Sequence, residues 1–221
     1  MWNKPVVEIR VEEFTRGTLP TYLELHKSMA LPLLQEHLGR PMAYYMTNVG
    51  RINCVTQLWG YDSLEAYQSG RAAVESRPQW QDYMRSTEGV VRFVDTRLTQ
   101  RILFPNVGAG EEISRAKPVV DFRTYLIHHN HMQTFLSTTE EHAMSVMLRH
   151  VGPPIGYYLT KVGNLNQITN IWGYDSMGDM ETRRNARNAD PEWRNYLDAS
   201  DGIYERQETQ ILRLLELYPD E

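Results

Sequence analysis

The sequence has little cysteine, no concentration of positive charge and no long apolar run. Cys54 is the only cysteine in 221 residues, which excludes an internal disulfide and a cysteine-based metal site. The net charge is −5 and no block of lysine and arginine stands out, which argues against a nucleic-acid partner, because a surface that follows phosphates needs clustered cations. No apolar run approaches the roughly 18 residues that span a membrane.

The first residues, MWNKPVVEIR, have neither the apolar core of a signal peptide nor the character of a transit peptide. This predicts a cytoplasmic protein without membrane insertion. The hydrophobic content of 41% and the charged content of 23% are ordinary for a globular protein.

A repeated segment organises the chain. Residues 53–63 read NCVTQLWGYDS and residues 166–176 read NQITNIWGYDS, at an offset of 113 residues. The same offset aligns residues 6–89 with residues 119–202 without an insertion. Since an ungapped match of that length is not chance, the chain is predicted to contain two copies of one unit.

The two units are predicted to span residues 1–104 and 119–221. Residues 105–118 carry proline, glycine and charge without periodicity, which is typical of a linker. Each unit has roughly 100 residues, a size that can bury a modest core.

Each copy has the pattern of strand, helix, two strands, helix and strand. Val6–Glu12 alternates with period two, and the helix after it repeats apolar residues every three or four positions. Pro32 is expected to bend this helix because it removes an amide donor, whereas the second copy has Ser145 there and need not bend. The Asp-Ser pairs at 62–63 and 175–176 are predicted to cap the second helix of each copy.

The order β-α-β-β-α-β predicts an α+β fold of two tandem ferredoxin-like units, each a four-stranded antiparallel sheet with helices on one face. Both faces of the strands carry aromatic and aliphatic residues, so the bare face of each sheet has to be covered. We expect the copies to cover each other, sheet to sheet, as an intramolecular pseudo-dimeric α/β barrel.

The repeated motifs resemble those of the NIPSNAP family, which belongs to the dimeric α/β-barrel superfamily. The resemblance covers both halves and rests on Val-Gly-x-x-Asn, on Leu/Ile-Trp-Gly-Tyr-Asp-Ser, on Arg71 or Arg184, and on Pro-x-Trp-x-x-Tyr. The family's first-strand signature Glu-Leu-Arg-x-Tyr is matched by Glu8-Ile9-Arg10 with Glu12 in place of the tyrosine, while the second copy keeps Arg123 and Tyr125.

This resemblance implies the barrel fold and leaves the activity open. NIPSNAP proteins are not established enzymes, although superfamily relatives include cofactor-free oxygenases that act on aromatic polyketides and haem-degrading proteins. No catalytic motif of those relatives occurs here, and no cofactor is expected.

Arg10 and Arg123 lie on the first strand of each copy, where a buried guanidinium needs a partner. One interpretation is a clamp for a carboxylate or a phenolate in a pocket between sheet and helices. The other is an ion pair within the fold, with Glu8 or Asp121, which lie two residues away on the same face. Arg71 and Arg184 allow the same two interpretations. They form either a clamp for a ligand or an ion pair within the fold, with Asp62 or Asp175 as the partner.

The aromatic residues of the central strands are the other candidates for a site. Large rings with a few polar groups describe a small-molecule pocket, and they equally describe a core. Tyr44 and Tyr157 each precede another tyrosine, so one of each pair is expected to face a pocket and the other the seam between copies. The predicted ligand-binding set comprises Arg10, Tyr44, Asn53, Trp59, Tyr61, Arg71, Arg123, Tyr125, Tyr157, Asn166, Trp172, Tyr174 and Arg184.

The histidines raise the question of a metal site. His128, His129 and His131 cluster in a strand-to-helix loop, where a solvated loop is the favoured interpretation and no metal is predicted. His37 and His150 end the long helices and are expected to cap carbonyl groups there.

Three functional hypotheses follow. The first is a module that binds a small apolar or aromatic molecule under the helices of one or both halves. The second is an enzyme such as a cofactor-independent monooxygenase, with tyrosine or histidine as proton carrier. The third is an assembly or adaptor protein, and a homo-oligomer is compatible with all three. If one site works, the second half is favoured, because Tyr125 and the histidine loop distinguish it.

Overall fold

The computed structural model describes residues 3–104 and 116–217. Most of the predicted linker, 105–118, therefore lies outside the described residues. No helix in the described ranges is long and apolar enough to cross a membrane.

The first half contains the predicted strands and helices, with the long helix divided into three parts. Its elements are β1 (Val6–Phe14), α1 (Leu19–Leu25), a π-helical segment (His26–Ala30), α2 (Leu31–Leu38), β2 (Ala43–Val49), β3 (Cys54–Tyr61), α3 (Leu64–Glu75), α4 (Pro78–Ser86) and β4 (Val91–Ile102).

The second half repeats the same order. Its elements are β5 (Val119–Ile127), α5 (Met132–Thr138), a π-helical segment (Thr139–Ala143), α6 (Met144–His150), β6 (Gly156–Val162), β7 (Gln167–Tyr174), α7 (Met177–Ala189), α8 (Pro191–Ala199) and β8 (Tyr204–Leu214).

The eight strands form one closed barrel in the order β1-β3-β2-β8-β5-β7-β6-β4, with β4 returning to β1. The halves join along two antiparallel seams, in which Thr47 of β2 faces Leu212 of β8 and Arg101 of β4 faces Tyr158 of β6. Backbone hydrogen bonds therefore cross both seams, and the barrel has no free strand edge. The predicted pseudo-dimeric α/β barrel is confirmed.

Alternation along the strands divides the core into an inner and two outer layers. Val7, Ile9 and Tyr45 belong to the cluster inside the barrel, where they meet Phe122 and Tyr158 from the other half. The outward-facing residues pack against the helices in three separate clusters, one over the first half and two over the second. Adjacent tyrosines thus serve different layers, as their spacing predicts.

The ends of the second helices also follow the prediction. Ser63 Oγ accepts a hydrogen bond from the amide of Ala66 at 3.1 Å, and Ser176 Oγ accepts one from Asp179 at 3.0 Å. Each serine satisfies an amide that the first helical turn leaves free.

The first long helix is irregular next to Pro32, but the second copy, which need not bend, is irregular at the same place. Both copies contain a π-helical segment at the same place, where the amide of Leu31 reaches the carbonyl of His26 and that of Met144 reaches Thr139. Because the second copy has Ser145 at the proline position, the wide turn does not depend on proline. It brings His26 or Thr139 onto the sheet side of the helix, where both are buried.

Candidate functional site

A cavity of about 390 Å³ lies in the second half, between the outward face of the sheet and the helices α6, α7 and α8. This volume is in the range of roughly 300–1,000 Å³ that is usual for small-molecule sites. Of the predicted set, four residues line it: Arg123, Tyr125, Tyr157 and Trp172. Asn170, Arg187, Trp193 and Tyr196 complete much of the wall.

In the first half, an imidazole occupies the equivalent place. His26 is 1% exposed, and its Nε2 lies 2.9 Å from Tyr44 Oη. Its Nδ1 lies 3.2 Å from Tyr22 Oη and 3.1 Å from Tyr83 Oη. Burial lowers the pKa of His26 to about 4, so the ring is neutral at pH 7. The predicted residues Tyr44 and Trp59 are therefore parts of a packed polar cluster.

The second half has a smaller side chain at the centre of this cluster. Thr139 aligns with His26 and is buried, while Phe135 replaces Tyr22. Tyr157 and Tyr196 align with two of the tyrosines that contact the imidazole, and both line the cavity. A threonine thus stands where the first half has an imidazole ring, next to the tyrosines that line the cavity.

The two predicted arginines of the first half, Arg10 and Arg71, both pair with carboxylates, although not with the expected ones. Arg10 Nε donates to Glu12 Oε1 at 2.8 Å, where Glu8 was the expected partner. Glu8 instead accepts from Arg71 at 2.5 and 3.1 Å and from Tyr61 at 2.8 Å. The alternative pairing of Arg71 with Asp62 is wrong, because α3 turns Arg71 towards the sheet.

In the second half, the predicted pair of Arg123 and Asp121 is confirmed, with nitrogen–oxygen distances of 2.9 and 2.8 Å. Burial disfavours the charged form of Arg123 and by itself would lower its pKa. The attraction of the Asp121 carboxylate is larger, so the pKa of the guanidinium is raised. Arg184 also approaches Asp121, at 3.8 Å, so its expected pairing with Asp175 is wrong. The two aspartates at the helix starts face solvent and pair with Lys4 and Lys117.

Arg187 is a residue of the cavity that the motifs did not indicate. It lies on α7, aligns with Val74 of the first half and is 5% exposed. Its guanidinium lies over the Trp193 ring at 4.4 Å from the centroid and donates to Asn188 Oδ1 at 2.7 and 3.2 Å. The sequence does carry a signal for this residue, because an arginine in one copy aligns with a valine in the other.

The aromatic wall is fixed by its own contacts. Trp172 Nε1 donates to Asn170 Oδ1 at 3.1 Å, and the Tyr157 ring meets the Trp172 ring edge to face at 6.0 Å. Burial raises the pKa of Tyr157 and of Tyr196 well above the usual range. These phenols therefore stay protonated at neutral pH and can donate hydrogen bonds into the cavity.

The remaining predicted residues lie outside the cavity. Asn53 and Asn166 are exposed turn residues with φ of 58° and 60°, just before the strands on which they were placed. Tyr61 and Tyr174 are buried, and Tyr61 Oη donates to Glu8 at 2.8 Å. A left-handed backbone suits asparagine, which accounts for the same residue at both turns.

The loop that carries the clustered histidines is exposed, as predicted, whereas the expected role of His150 is not observed. His128, His129 and His131 are exposed, and within residues 3–104 and 116–217 no three or more metal-binding side chains are grouped to hold an ion. His150 does not cap a carbonyl group, because its Nε2 lies 2.8 Å from Asp190 Oδ2. His37 lies 3.7 Å from Glu36.

A family model described as NIPSNAP matches residues 7–104 and again residues 120–219. The chain belongs to the NIPSNAP family. The two matches coincide with the two halves of the barrel, so this NIPSNAP protein carries the family domain twice. No curated protein matches the chain.

Solved structures similar to this NIPSNAP chain fall into two groups. A NIPSNAP family protein with unknown function from Agrobacterium tumefaciens str. C58 is 22% identical, with a TM-score of 0.41 over 43% of this chain and 86% of that one. Candidate monooxygenases from Lactobacillus acidophilus NCFM and Fusobacterium nucleatum are each 8% identical, with TM-scores of 0.62. They cover 96% and 97% of this chain and 94% of their own, which supports the two-unit barrel as the fold.

Proposed function

We propose that the second half of this NIPSNAP protein binds a small, largely apolar or aromatic molecule in the cavity between its sheet and its helices. The observation that carries the proposal is the exchange of His26 for Thr139 at aligned positions. An imidazole with three tyrosine contacts fills this place in the first half, whereas the second half has a cavity of about 390 Å³ beside the equivalent place.

The lining of the cavity supports recognition of a ring or another flat apolar body. Trp172 and Trp193 contribute indole rings to the lining, and Tyr157 and Tyr196 add phenol rings. A few polar groups, among them Asn170, stand between the rings. This mixture of apolar wall and sparse polar groups is typical of small-molecule sites.

Binding is preferred over proton-transfer chemistry because of the state of the lining groups. Burial raises the pKa of Tyr157 and Tyr196, which makes both poor bases and stable donors at neutral pH. The likeness to candidate monooxygenases concerns the fold alone. Oxygen consumption with phenolic substrates, lost in Arg123→Ala without loss of thermal stability, would establish the oxygenase alternative instead.

Native mass spectrometry of freshly purified protein tests the proposal directly, because it reports a retained ligand and the oligomeric state together. Titration with the neutral fluorescent probe N-phenyl-1-naphthylamine then measures occupancy of the cavity. We expect one bound probe per chain and loss of binding in Thr139→His, which places an imidazole at the position that aligns with His26. Thr139→Ser is the matched control and should bind normally.

The result that overturns the proposal is a chain that retains no small molecule and binds no apolar probe. Equal probe binding in wild type and in folded Thr139→His would equally contradict it, since the probe would then lie elsewhere.

A further inference from the structure

The buried charges of the two halves differ in balance. In the first half, Arg10 pairs with Glu12, and Arg71 pairs with Glu8. Each guanidinium therefore has a carboxylate of its own. This half is electrically balanced around its filled centre.

Two exchanges remove this balance in the second half. Tyr125 stands where the first half has Glu12, and Arg187 stands where it has Val74. One exchange removes a carboxylate and the other adds a cation. Arg123 and Arg184 consequently share Asp121, which contacts them at 2.8 and 3.8 Å, and Arg187 adds a third guanidinium.

Arg187 has only neutral contacts. Asn188 accepts two of its hydrogen bonds, Met147 Sδ lies 3.8 Å from its Nη1, and Trp193 lies under its guanidinium. Among the residues that the structure describes, no carboxylate lies within 4 Å of it. A cation that is 5% exposed and lacks an anion is costly, and a bound anion would remove this cost.

The positions of the charges point towards the ligand. Arg187 and Arg123 both line the cavity, on opposite sides of the boundary between helix and sheet. Burial, followed by repulsion from Arg123 and Arg184, lowers the pKa of Arg187 to about 10. The guanidinium is still charged at neutral pH, and its planar fork matches the two oxygens of a carboxylate.

We infer that the molecule bound in this cavity is an aromatic or apolar carboxylic acid, whose carboxylate pairs with Arg187 and Arg123 while its apolar body lies against Trp172 and Trp193. The inference rests on the proposed function, and it adds the charge of the ligand. The cavity thus selects an acid over a neutral molecule of the same shape.

A matched pair of compounds tests the selection. 2-Naphthoic acid is ionised at pH 7, and 2-naphthamide has nearly the same shape without the charge. Both are titrated calorimetrically and in displacement of N-phenyl-1-naphthylamine. We expect the acid to bind on the order of tenfold or more tightly than the amide, as is usual for a desolvated charge pair.

Arg187→Val, which restores the residue of the first half, should abolish the preference for the acid over the amide. Arg187→Gln keeps the length of the side chain and serves if the valine variant fails to fold. Arg194→Val is the control, because Arg194 is 76% exposed on α8 and pairs with Asp198.

The outcomes distinguish a failure of the acid preference from a failure of the binding site. Equal binding of acid and amide by the wild type, or a preference that persists in Arg187→Val, overturns the inference and leaves the binding site standing. If the neutral probe, the acid and the amide all fail to bind, the proposed function itself fails.

Discussion

The guanidinium carbon of Arg187 lies 4.4 Å from the centroid of the Trp193 ring, so a buried cation is held by an aromatic face and not by a carboxylate. In the first half, Val74 takes the place of this arginine, and the aligned Trp80 packs on Tyr83 with a centroid distance of 5.3 Å. The same helix therefore supplies an apolar contact in one half and an unneutralised charge in the other.

Removal of this charge should stabilise the unliganded protein. Arg187→Val is expected to raise the free energy of unfolding by roughly 1 kcal/mol, because the relief of a buried charge exceeds the loss of the cation–π contact. Urea denaturation without ligand measures it. The reciprocal Val74→Arg should destabilise by about 3 kcal/mol or more, since it buries a cation in the filled half. A marked loss of stability in Arg187→Val would contradict the prediction.

Exchange of His26 should open the first half. His26→Thr removes a ring and its three tyrosine contacts, which we expect to cost about 2–4 kcal/mol of unfolding free energy. The number of N-phenyl-1-naphthylamine molecules bound per chain should rise from one to two. Chemical denaturation and probe titration check both effects. An unchanged stoichiometry in a folded variant would show that the first half collapses around the smaller residue.

Acid should weaken the protein through His26. Burial, opposed by Glu12 and reinforced by Arg10 and Arg71, lowers the pKa of His26 to about 4, whereas an unfolded histidine titrates near 6.5. The unfolded chain binds the extra proton between these values. The contribution of His26 to the free energy of unfolding is thus fully present above about pH 6.5. It falls by up to roughly 3 kcal/mol as the pH drops to 4.

Urea denaturation at pH 7 and pH 4.5 measures this effect. His26→Gln keeps hydrogen-bonding groups at the position and lacks the titration, so its unfolding free energy should depend less on pH across this window. Identical pH dependence in the variant and the wild type would assign the acid sensitivity to other groups.

The buried pair of Glu8 and Arg71 should matter far more than a pair at the surface. Glu8→Gln leaves a buried guanidinium without its carboxylate, and we expect a loss of about 3–5 kcal/mol of unfolding free energy. Asp62→Asn removes an ion pair with Lys4 at the surface, where the Asp62 side chain is 79% exposed and the Lys4 side chain 34%. This change should cost less than about 1 kcal/mol of unfolding free energy. Similar losses in the two variants would contradict this ranking.

Local pattern predicted most of the fold. Period-two strands, serine caps at Ser63 and Ser176, and the ungapped repeat defined two ferredoxin-like units, and rings on both strand faces required the barrel. These features depend on neighbours in the chain, which is why sequence reasoning reached them. The predicted partners of Arg10 and Arg71 were wrong, because several carboxylates lie on one face and only the packing of the helices selects among them.

The sequence by itself determined the duplication, the order of elements, the layer that each strand residue faces and the membership in NIPSNAP. Only the tertiary structure decided which half is open. That outcome depends on the volumes of side chains from separate elements, such as His26, Tyr44 and Tyr83, converging on one point. It also revealed the surplus charge of Arg187, since a buried cation is recognised as unneutralised only when every group around it is known.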